Sequence, residues 1–473
     1  MNPTPTPTGK AKYAWSEITR AEPPKRPASD RIADFEDIYT PYDEATASEQ
    51  ASRCVQCPNP VCVEACPLGS PIPELLALTA DHRFKEAAEL LCASHSLPEV
   101  FAHICIGGRQ CERLCVLGAK SDPVSIGPIA RFLLNYAWQN GIAEPPVAPA
   151  TGQRVAVIGS GVCGLVCADA LSRLGHAVTV LDSREKPGGR VVNGLPGFRV
   201  DTALIERRVE LLKHRGVQFR MNVVCGRDVK LSELRRDFDA ILFAFSRTEP
   251  VPLKVPGARL KGVHPAHQLL VQNRPDAPAD STVVDVRGKR VVVLGGGDTA
   301  MDAARTAVRN GAADVLCIYR RDLANMPANP TEQRNAQEEG VRFKFFAEAT
   351  AMLGNVHGAV TYVRSVHMKP GAPDESGRMS IEPIPGSHFE VPADVVFVAY
   401  GYEPAKLTRC DELAELKTDV HGHLIVDENQ MTNLPGLFAA GSIVRGAISM
   451  VDVVRDARKA VSAVDGYLKG KKK

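Results

Sequence analysis

Residues 154–182 read RVAVIGSGVCGLVCADALSRLGHAVTVLD. The stretch opens with a short β-branched run, RVAVI, of the length and character of a buried strand. It turns through Gly159-Ser-Gly161-Val-Cys-Gly164, continues as a helix (LVCADALSRLG), and closes with a second strand, AVTVLD, ending at Asp182. G-x-G-x-x-G alone is a weak signal. A strand before it, a helix after it and an acid 23 residues beyond the first glycine make it a dinucleotide-binding turn. The glycines allow a tight turn and bring backbone N–H groups and a helix N-terminus against a pyrophosphate. Asp182 is placed to accept from ribose hydroxyls. Gly188-Gly189-Arg190, just beyond, marks a second close backbone approach.

The unit recurs. KRVVVL at 289–294 runs into Gly295-Gly-Gly297-Asp298-Thr299-Ala300, then the helix AMDAARTAVRNG and the strand DVLCIY. Where the first unit ends in Asp182, the second ends in Tyr319-Arg320-Arg321. An acid there selects a free 2′-hydroxyl, and arginine accommodates a 2′-phosphate. The first unit is therefore expected to hold a dinucleotide without that phosphate, and the second NADPH. Further on, ADVVFVAYGYEP and LPGLFAAGSIV are apolar runs that end in glycine. The latter, with the closing helix RDARKAVSAVDGYL, returns the chain to the first unit.

Upstream lie seven clustered cysteines. Cys54, Cys57, Cys62 and Cys66 sit in RCVQCPNPVCVEACP, and Cys105, Cys111 and Cys115 follow in HICIGGRQCERLC. The C-x2-C-x4-C-x3-C-P run is close to that of two-cluster ferredoxins, in which the cysteine before proline crosses to the second cluster. Seven thiols are too many for one tetrahedral site and nearly enough for two cubanes. The alternatives are a structural zinc, which uses four ligands and leaves three idle, and reduced structural cysteines. MNPTPTPTGKAKYAW has no apolar leader run, so a reducing, cytoplasmic setting is expected, in which cysteine serves metals more often than disulfides. Cys163, Cys167, Cys225, Cys317 and Cys410 show no metal spacing and read as packing residues.

The chain has 473 residues and a formal net charge of +2, so no broad attraction to nucleic acid or to an anionic membrane is implied. No apolar run approaches the roughly 18 residues of a membrane span. The fold class expected is α/β with an α-helical N-terminal iron–sulfur domain and two Rossmann-like nucleotide-binding domains, the second inserted in the first. The boundaries expected are an extension over 1–36, rich in Pro, Thr, Lys and Ala and either disordered or draped on a neighbour, and a helical cysteine domain over 37–145. The first nucleotide domain covers 150–285 and resumes at 396–473, with the second at 286–395 between them.

These residues resemble the small (β) subunit of NADPH-dependent glutamate synthase and its relatives, the N-terminal half of dihydropyrimidine dehydrogenase and the large subunit of the bifurcating ferredoxin:NADP oxidoreductase. The resemblance runs from about Asp37 to Leu468. RCVQCPNPVCVEACPLGSPIPE, CERLC, VAVIGSGVCGL, GLPGFRVD, VAYGYEP and FAAGSIVRG carry it, and the stretch from Gly295 to Pro327 is the most specific. It implies two [4Fe–4S] clusters, FAD in the first nucleotide domain and NADPH in the second. Hydride passes to the flavin and single electrons go on through the clusters to a larger catalytic subunit or a ferredoxin-like acceptor, in a hetero-oligomer. By motif position, Cys54, Cys57, Cys62 and Cys115 ligate one cluster, and Cys66, Cys105 and Cys111 the other. Gly194 and Pro196, within GLPGFR, belong to the turn that touches the flavin ring. Ala399 and Gly401 belong to a nicotinamide-side loop, and Gly441 and Ser442 to the late flavin motif.

Four departures from the family pattern stand out. Ala130 occupies the place of the Glu or Gln that completes the second cluster, which leaves three cysteines, a substitute from Glu112, His103 or Cys92, or a degraded site. Ala244-Phe245-Ser246 replaces a glycine-bearing strand end, Ser442 replaces an aspartate, and Ala457 replaces a helix glycine. Three of the four surround the expected flavin. They motivate a competing reading, a non-catalytic relay or assembly subunit with an altered or lost FAD site. A thioredoxin-reductase-like activity is disfavoured, because the NADPH unit carries no redox C-x-x-C.

Overall fold

The computed structural model describes residues 14–105, 110–142, 145–246, 248–274, 277, 283–373, 379–404, 413–446 and 449–471; Cys410 lies outside them. Two short helices, α1 (Ala14–Glu17) and α2 (Ala28–Arg31), precede the cysteine domain. That domain comprises α3 (Glu44–Ser52), α4 (Val61–Ala65), α5 (Ile72–Ala80), α6 (Phe84–Ser94), α7 (Pro98–Ile104) and α8 (Ile126–Gln139). Asp43 caps α3 by accepting from the Thr46 N–H at 2.7 Å, and Pro98 opens α7, where a missing N–H does no harm. Phe84, Ala88 and Leu91 recur at helical spacing and meet Ile129 and Leu133 of α8 in one buried core.

The first nucleotide unit runs β1 (Arg154–Ile158), α9 (Val162–Arg173), β2 (Ala177–Leu181), α10 (Gly189–Gly194), α11 (Thr202–His214), β3 (Gln218–Arg220), α12 (Leu231–Asp237) and β4 (Ala240–Phe243). After β5 (Thr248–Pro250) come β6 (Val263–Pro265), α13 (Ala266–Gln272), β7 (Arg290–Leu294), α14 (Asp298–Arg309), β8 (Asp314–Ile318), α15 (Pro330–Glu338) and β9 (Arg342–Lys344). The chain then forms β10 (Ala347–Gly354), β11 (Val360–Pro373), β12 (Met379–Pro392), β13 (Val395–Val398) and β14 (Tyr402–Pro404). It ends with β15 (Leu437–Ala439), α16 (Ser442–Arg445) and α17 (Met450–Gly470).

Two parallel five-stranded sheets result, ordered β15-β4-β1-β2-β3 and β6-β13-β7-β8-β9. Because β15 pairs with β4 after the whole second sheet has been made, the second unit is inserted in the first. In β1, β2 and β7 every residue after the first is buried, as expected of parallel strands covered on both faces. The antiparallel ribbon β5–β14 joins the two units, with Tyr402 opposite Pro250.

Three expectations need narrowing or correction. Of the two forms expected for the extension, residues 14–36 take the draped one and not the disordered one. Arg31 is buried against Glu338 and Glu339, and Arg20 meets the buried Glu112 at 2.9 Å. The segment is short of apolar residues but is anchored by charges whose partners lie up to some 300 residues away, beyond any local reading of composition. The second unit begins before residue 286, since β6 at 263–265 forms its edge strand and α13 packs on α14. It also keeps β13, so the return to the first unit falls after residue 398 rather than at 396. Finally, β10-β11-β12 form a separate antiparallel sheet that the sequence reading did not anticipate.

Candidate cofactor sites

The seven cysteines fall into two groups. Cys54, Cys57, Cys62 and Cys115 line a single apolar cavity, together with residues such as Pro60 and Leu76. Cys66, Cys105 and Cys111 form the other group, close enough that their charges act on one another. Burial pushes Cys54 and Cys105 up to about 12 and Cys62 up to about 11, and it raises Cys57 and Cys111 as well. Such thiols ionise only when a metal charge replaces the lost hydration, which suits soft, thiolate-bound iron. Among the described residues no three His, Cys, Asp or Glu side chains converge on a single-ion site. Four thiols lining one apolar cavity are the donor type and number that a [4Fe–4S] cluster takes.

The substitutes considered for the missing ligand are engaged elsewhere. Glu112 is 2 % exposed and accepts from Gly127 N at 2.8 Å and from Arg20 Nη2 at 2.9 Å; burial pushes its carboxyl up. His103 donates through Nδ1 to the Glu99 carbonyl at 2.7 Å and faces Asp37 with Nε2. Cys92 is buried in the helical core. Ala130 is a half-buried residue of α8 that packs on that core.

Cys54, Cys62, Cys66, Cys111 and Cys115 all pack on the helical core, and Cys66 reaches a second core as well. Cys66, Ile104 and Cys105 pack on the core shared by α9, α17 and the first sheet. Leu114 and Val116, which flank Cys115, are 48 % and 46 % exposed.

At the first nucleotide turn, Gly159 has φ +108°, and a Cβ there would lie 2.7 Å from the Phe245 Cα. Gly189 has φ +55°, and its Cβ would lie 2.6 Å from the Gly161 Cα. Gly188 N donates to Ser160 O at 2.9 Å, so the two glycine loops are laced together. Gly164 sits in the first turn of α9, directly over the Gly159 carbonyl. Asp182 accepts from Ser160 N at 2.6 Å, Ser160 Oγ at 2.7 Å and Arg184 N at 2.9 Å. It thus holds the turn as well as facing it. A carboxylate has about four acceptor positions, so one remains for a ribose hydroxyl. Arg190 lies 4.0 Å over the Tyr402 ring, tying this loop to the inter-unit ribbon. Gly194 ends α10, and the Pro196 carbonyl accepts from Arg199 N at 2.9 Å to close the following turn.

The departures are absorbed structurally. The Phe245 ring meets Phe243 edge-on at 6.1 Å and joins the core on the α12 side of the sheet. Ala457 is fully buried against α9, its carbonyl facing Cys167. Gly441, at φ +77°, donates its N–H to Asp456 at 2.6 Å, and Ser442 opens α16. Asp456 also accepts from Gln430 and Arg445. The sequence reading missed it. The available signal was an acid on the apolar face of α17, between Val453 and Ala460.

At the second turn, Gly295 has φ +137°, and a Cβ there would lie 2.5 Å from the Ala399 carbonyl oxygen. Gly297 caps α14 and has open space above it. Asp298 accepts from Asn329 N at 2.7 Å, and Thr299 and the buried Ala300 complete the first helical turn. Gly401, at φ +93°, leads from Ala399 into β14. Arg320 is exposed beyond β8. Arg321 is buried instead, with Nη2 donating to the Met379 carbonyl at 3.1 Å and with Nε and Nη1 buried without a partner among the described residues. Unpaired buried guanidinium nitrogens at this position suit an anionic ligand.

Two glycine turns at strand ends, one sheet inserted in the other and a cysteine-rich helical cap define a pyridine-nucleotide oxidoreductase fused to an iron–sulfur domain. Family models agree. Residues 31–142 match dihydropyrimidine dehydrogenase domain II, 4Fe-4S cluster; residues 157–204 match an NAD(P)-binding Rossmann-like domain; and residues 223–463 match pyridine nucleotide-disulphide oxidoreductase. The chain is 40 % identical to the glutamate synthase [NADPH] small chain of Azospirillum brasilense over 458 residues, 95 % of each chain. It is 38 % identical to that of Escherichia coli K12, across 96 % of this chain and 98 % of the relative. It belongs to the family of glutamate synthase [NADPH] small chains. Mycobacterium tuberculosis FprA in complex with NADPH shares the fold at TM-score 0.57 and 20 % identity, over 69 % of this chain and 86 % of FprA. Among the described residues no helix is long and apolar enough to cross a membrane.

Proposed function

We propose that this chain is the electron-input subunit of a glutamate-synthase-like complex, carrying electrons from NADPH through FAD and two [4Fe–4S] clusters to a larger catalytic subunit. The division of the cysteines carries the reading. Cys66 and Cys105 pack on the first nucleotide unit, and the Cys54 group shares its cavity with the exposed Val116. The three-cysteine group is then the entry point for electrons and the four-cysteine group the exit toward the partner.

Bound FAD supplies the change from two-electron to one-electron transfer. The residues supply placement. Gly159, Gly161 and Gly164, with the N-terminus of α9, would hold the flavin pyrophosphate, and Asp182 the ribose. Gly189, Arg190, Gly194, Pro196, Gly441 and Ser442 would line the remainder of the flavin cradle. Gly295, Gly297, Asp298, Thr299 and Ala300 would hold the NADPH pyrophosphate, with Arg320 and Arg321 at the 2′-phosphate and Ala399 and Gly401 beside the nicotinamide. A cytoplasmic setting supplies NADPH and keeps the thiols reduced.

Anaerobic titration of the purified full-length chain with NADPH tests the proposal. Flavin bands that bleach, with about eight irons per chain as two cubanes require, are the expected result. A brown, flavin-free protein indifferent to NADPH would return the chain to the assembly role.

A further inference from the structure

The entry group of cysteines has a hydrogen-bond chain behind it that runs from Cys66 through Ser70 to His95. Ser70 Oγ lies 3.4 Å from Cys66 Sγ and 2.8 Å from His95 Nε2. Both Ser70 and His95 are 7 % exposed. His95 lines a cavity of about 260 Å³ between the cysteine domain and the first nucleotide unit, alongside Arg173 and Arg458. Arg458 donates to the Leu68 carbonyl, and Arg173 pairs with Asp169 and approaches the His95 carbonyl.

The direction of this chain follows from where the ring proton can sit. Burial, and after it the charges of Arg458 and Arg173, lower His95 to about 4, so the ring is neutral and carries one N–H. His95 Nδ1 is buried and has no hydrogen-bond partner among the described residues. A proton there would be an orphaned buried donor between two arginines. A proton on Nε2 meets Ser70 Oγ. Buried N–H groups are rarely left unpaired, whereas a bare lone pair is tolerated more often. The proton therefore sits on Nε2, and Ser70 accepts from it. The serine hydroxyl hydrogen is left to donate, and among the described residues Cys66 Sγ is the acceptor within reach.

We infer that Ser70, oriented by His95, is a positioning residue that donates a hydrogen bond to the Cys66 sulfur and raises the reduction potential of the cluster Cys66 ligates. Donation to a ligand sulfur withdraws electron density from the irons and favours the reduced state. The inference rests on the cluster reading above and adds a direction to it: the cluster nearest the flavin is tuned to accept. No bond is made or broken, and only the stability of the reduced cluster changes.

The test uses the full-length chain with its clusters assembled. Iron content and electron paramagnetic resonance of Cys66→Ser come first; if they match wild type, the cluster reading fails independently of this inference. Redox titration followed by the same resonance should then show one midpoint shifted downward in Ser70→Ala, a smaller downward shift in His95→Phe, and the wild-type value in Ser70→Thr. The other midpoint should stay in place in all three. Equal midpoints in wild type and Ser70→Ala, at full cluster content, overturn the inference. If Ser70→Ala assembles no second cluster, wild type decides. An exchangeable proton strongly coupled to the reduced cluster, seen by electron–nuclear double resonance in H2O and lost in D2O, supports it, and its absence refutes it.

Discussion

Arg320 and Arg321 are neighbours in sequence and differ in setting. Arg320 is open to solvent, and Arg321 is buried under the start of β12. Arg320 is therefore the residue whose removal isolates phosphate recognition from folding. A charge-assisted bond to phosphate is worth roughly 1.5–3 kcal/mol, less when solvent-exposed. Arg320→Ala should raise the KM for NADPH on the order of tenfold and leave that for NADH alone; equal losses would show that it does not read the 2′-phosphate. Glu339 decides a different matter. Three arginines converge on its buried carboxylate, Arg31, Arg305 and Arg309, at 2.9, 2.8 and 2.6 Å. Burial pushes this carboxyl up, yet the Arg305 and Arg309 guanidiniums hold it down at about 2. With a depressed folded-state value, its contribution is complete above the ordinary value of about 4.5 and is lost only as pH falls toward about 2. Glu339→Gln should destabilise the chain by about 3 kcal/mol, because buried cations lose their counter-charge. Urea unfolding at pH 6 and pH 8 should give the same penalty, and a penalty that differs between them would contradict the assignment.

At the level of elements, the two glycine loops of the first unit make separable contributions. A Cβ on Gly161 would have no neighbour nearer than the Gly189 Cα at 3.9 Å, whereas a Cβ on Gly189 would lie within 2.6 Å of backbone at a positive φ. Gly161→Ala should therefore abolish flavin retention without changing the melting temperature of the flavin-free protein. Gly189→Ala should lose flavin and lower that temperature by several degrees, since the laced loops must separate. Circular dichroism melting of the two flavin-free variants checks this, and equal melting temperatures would show that the loops are not mechanically coupled. The same elements show what could be read in advance. β1, α9 and β2 follow from an apolar run, glycines at fixed offsets and a terminal acid, all within 29 residues. The grip of Asp182 on Ser160 could not be read, because it depends on two strand ends meeting in space. Asp456 beside Gly441 was hidden likewise, and so was β6, a three-residue edge strand with no periodicity of its own. Local chemistry was legible, and pairings between distant segments were not.

Across the whole molecule, residues 14–36 act as a strap over all three parts. Arg53 and Gln50 of the cysteine domain donate to the Ile18 and Thr19 carbonyls. Phe35 stacks on Phe198 of the first unit at 6.2 Å, and its carbonyl packs on Gly197, where a Cβ would lie only 2.6 Å away. Lys25 and Arg31 reach Glu338 of the second unit, and Arg309 donates to the Asp34 carbonyl. Phe198 is covered on its other contacts by the guanidiniums of Arg305 and Arg309, and Arg199 beside it pairs with the buried Asp302 at 2.7 Å. The turn that bears Pro196 is thereby clamped to α14, the helix that opens the second nucleotide turn. Hydride transfer depends on holding two bound rings within a fraction of an ångström, and a misplacement of about 1 Å can slow a reaction 10²-fold. A chain beginning at Asp37 should still bind both nucleotides, since the strap touches neither glycine turn. Stopped-flow reduction of its flavin by NADPH should nevertheless be slower by about tenfold or more, and limited proteolysis should cut faster near the β5–β14 ribbon. Phe35→Ala in the full-length chain should produce a smaller effect of the same kind. Flavin reduction at the wild-type rate in the shortened chain would mean that the β5–β14 ribbon and the Arg199–Asp302 pair hold the two units in register without the strap.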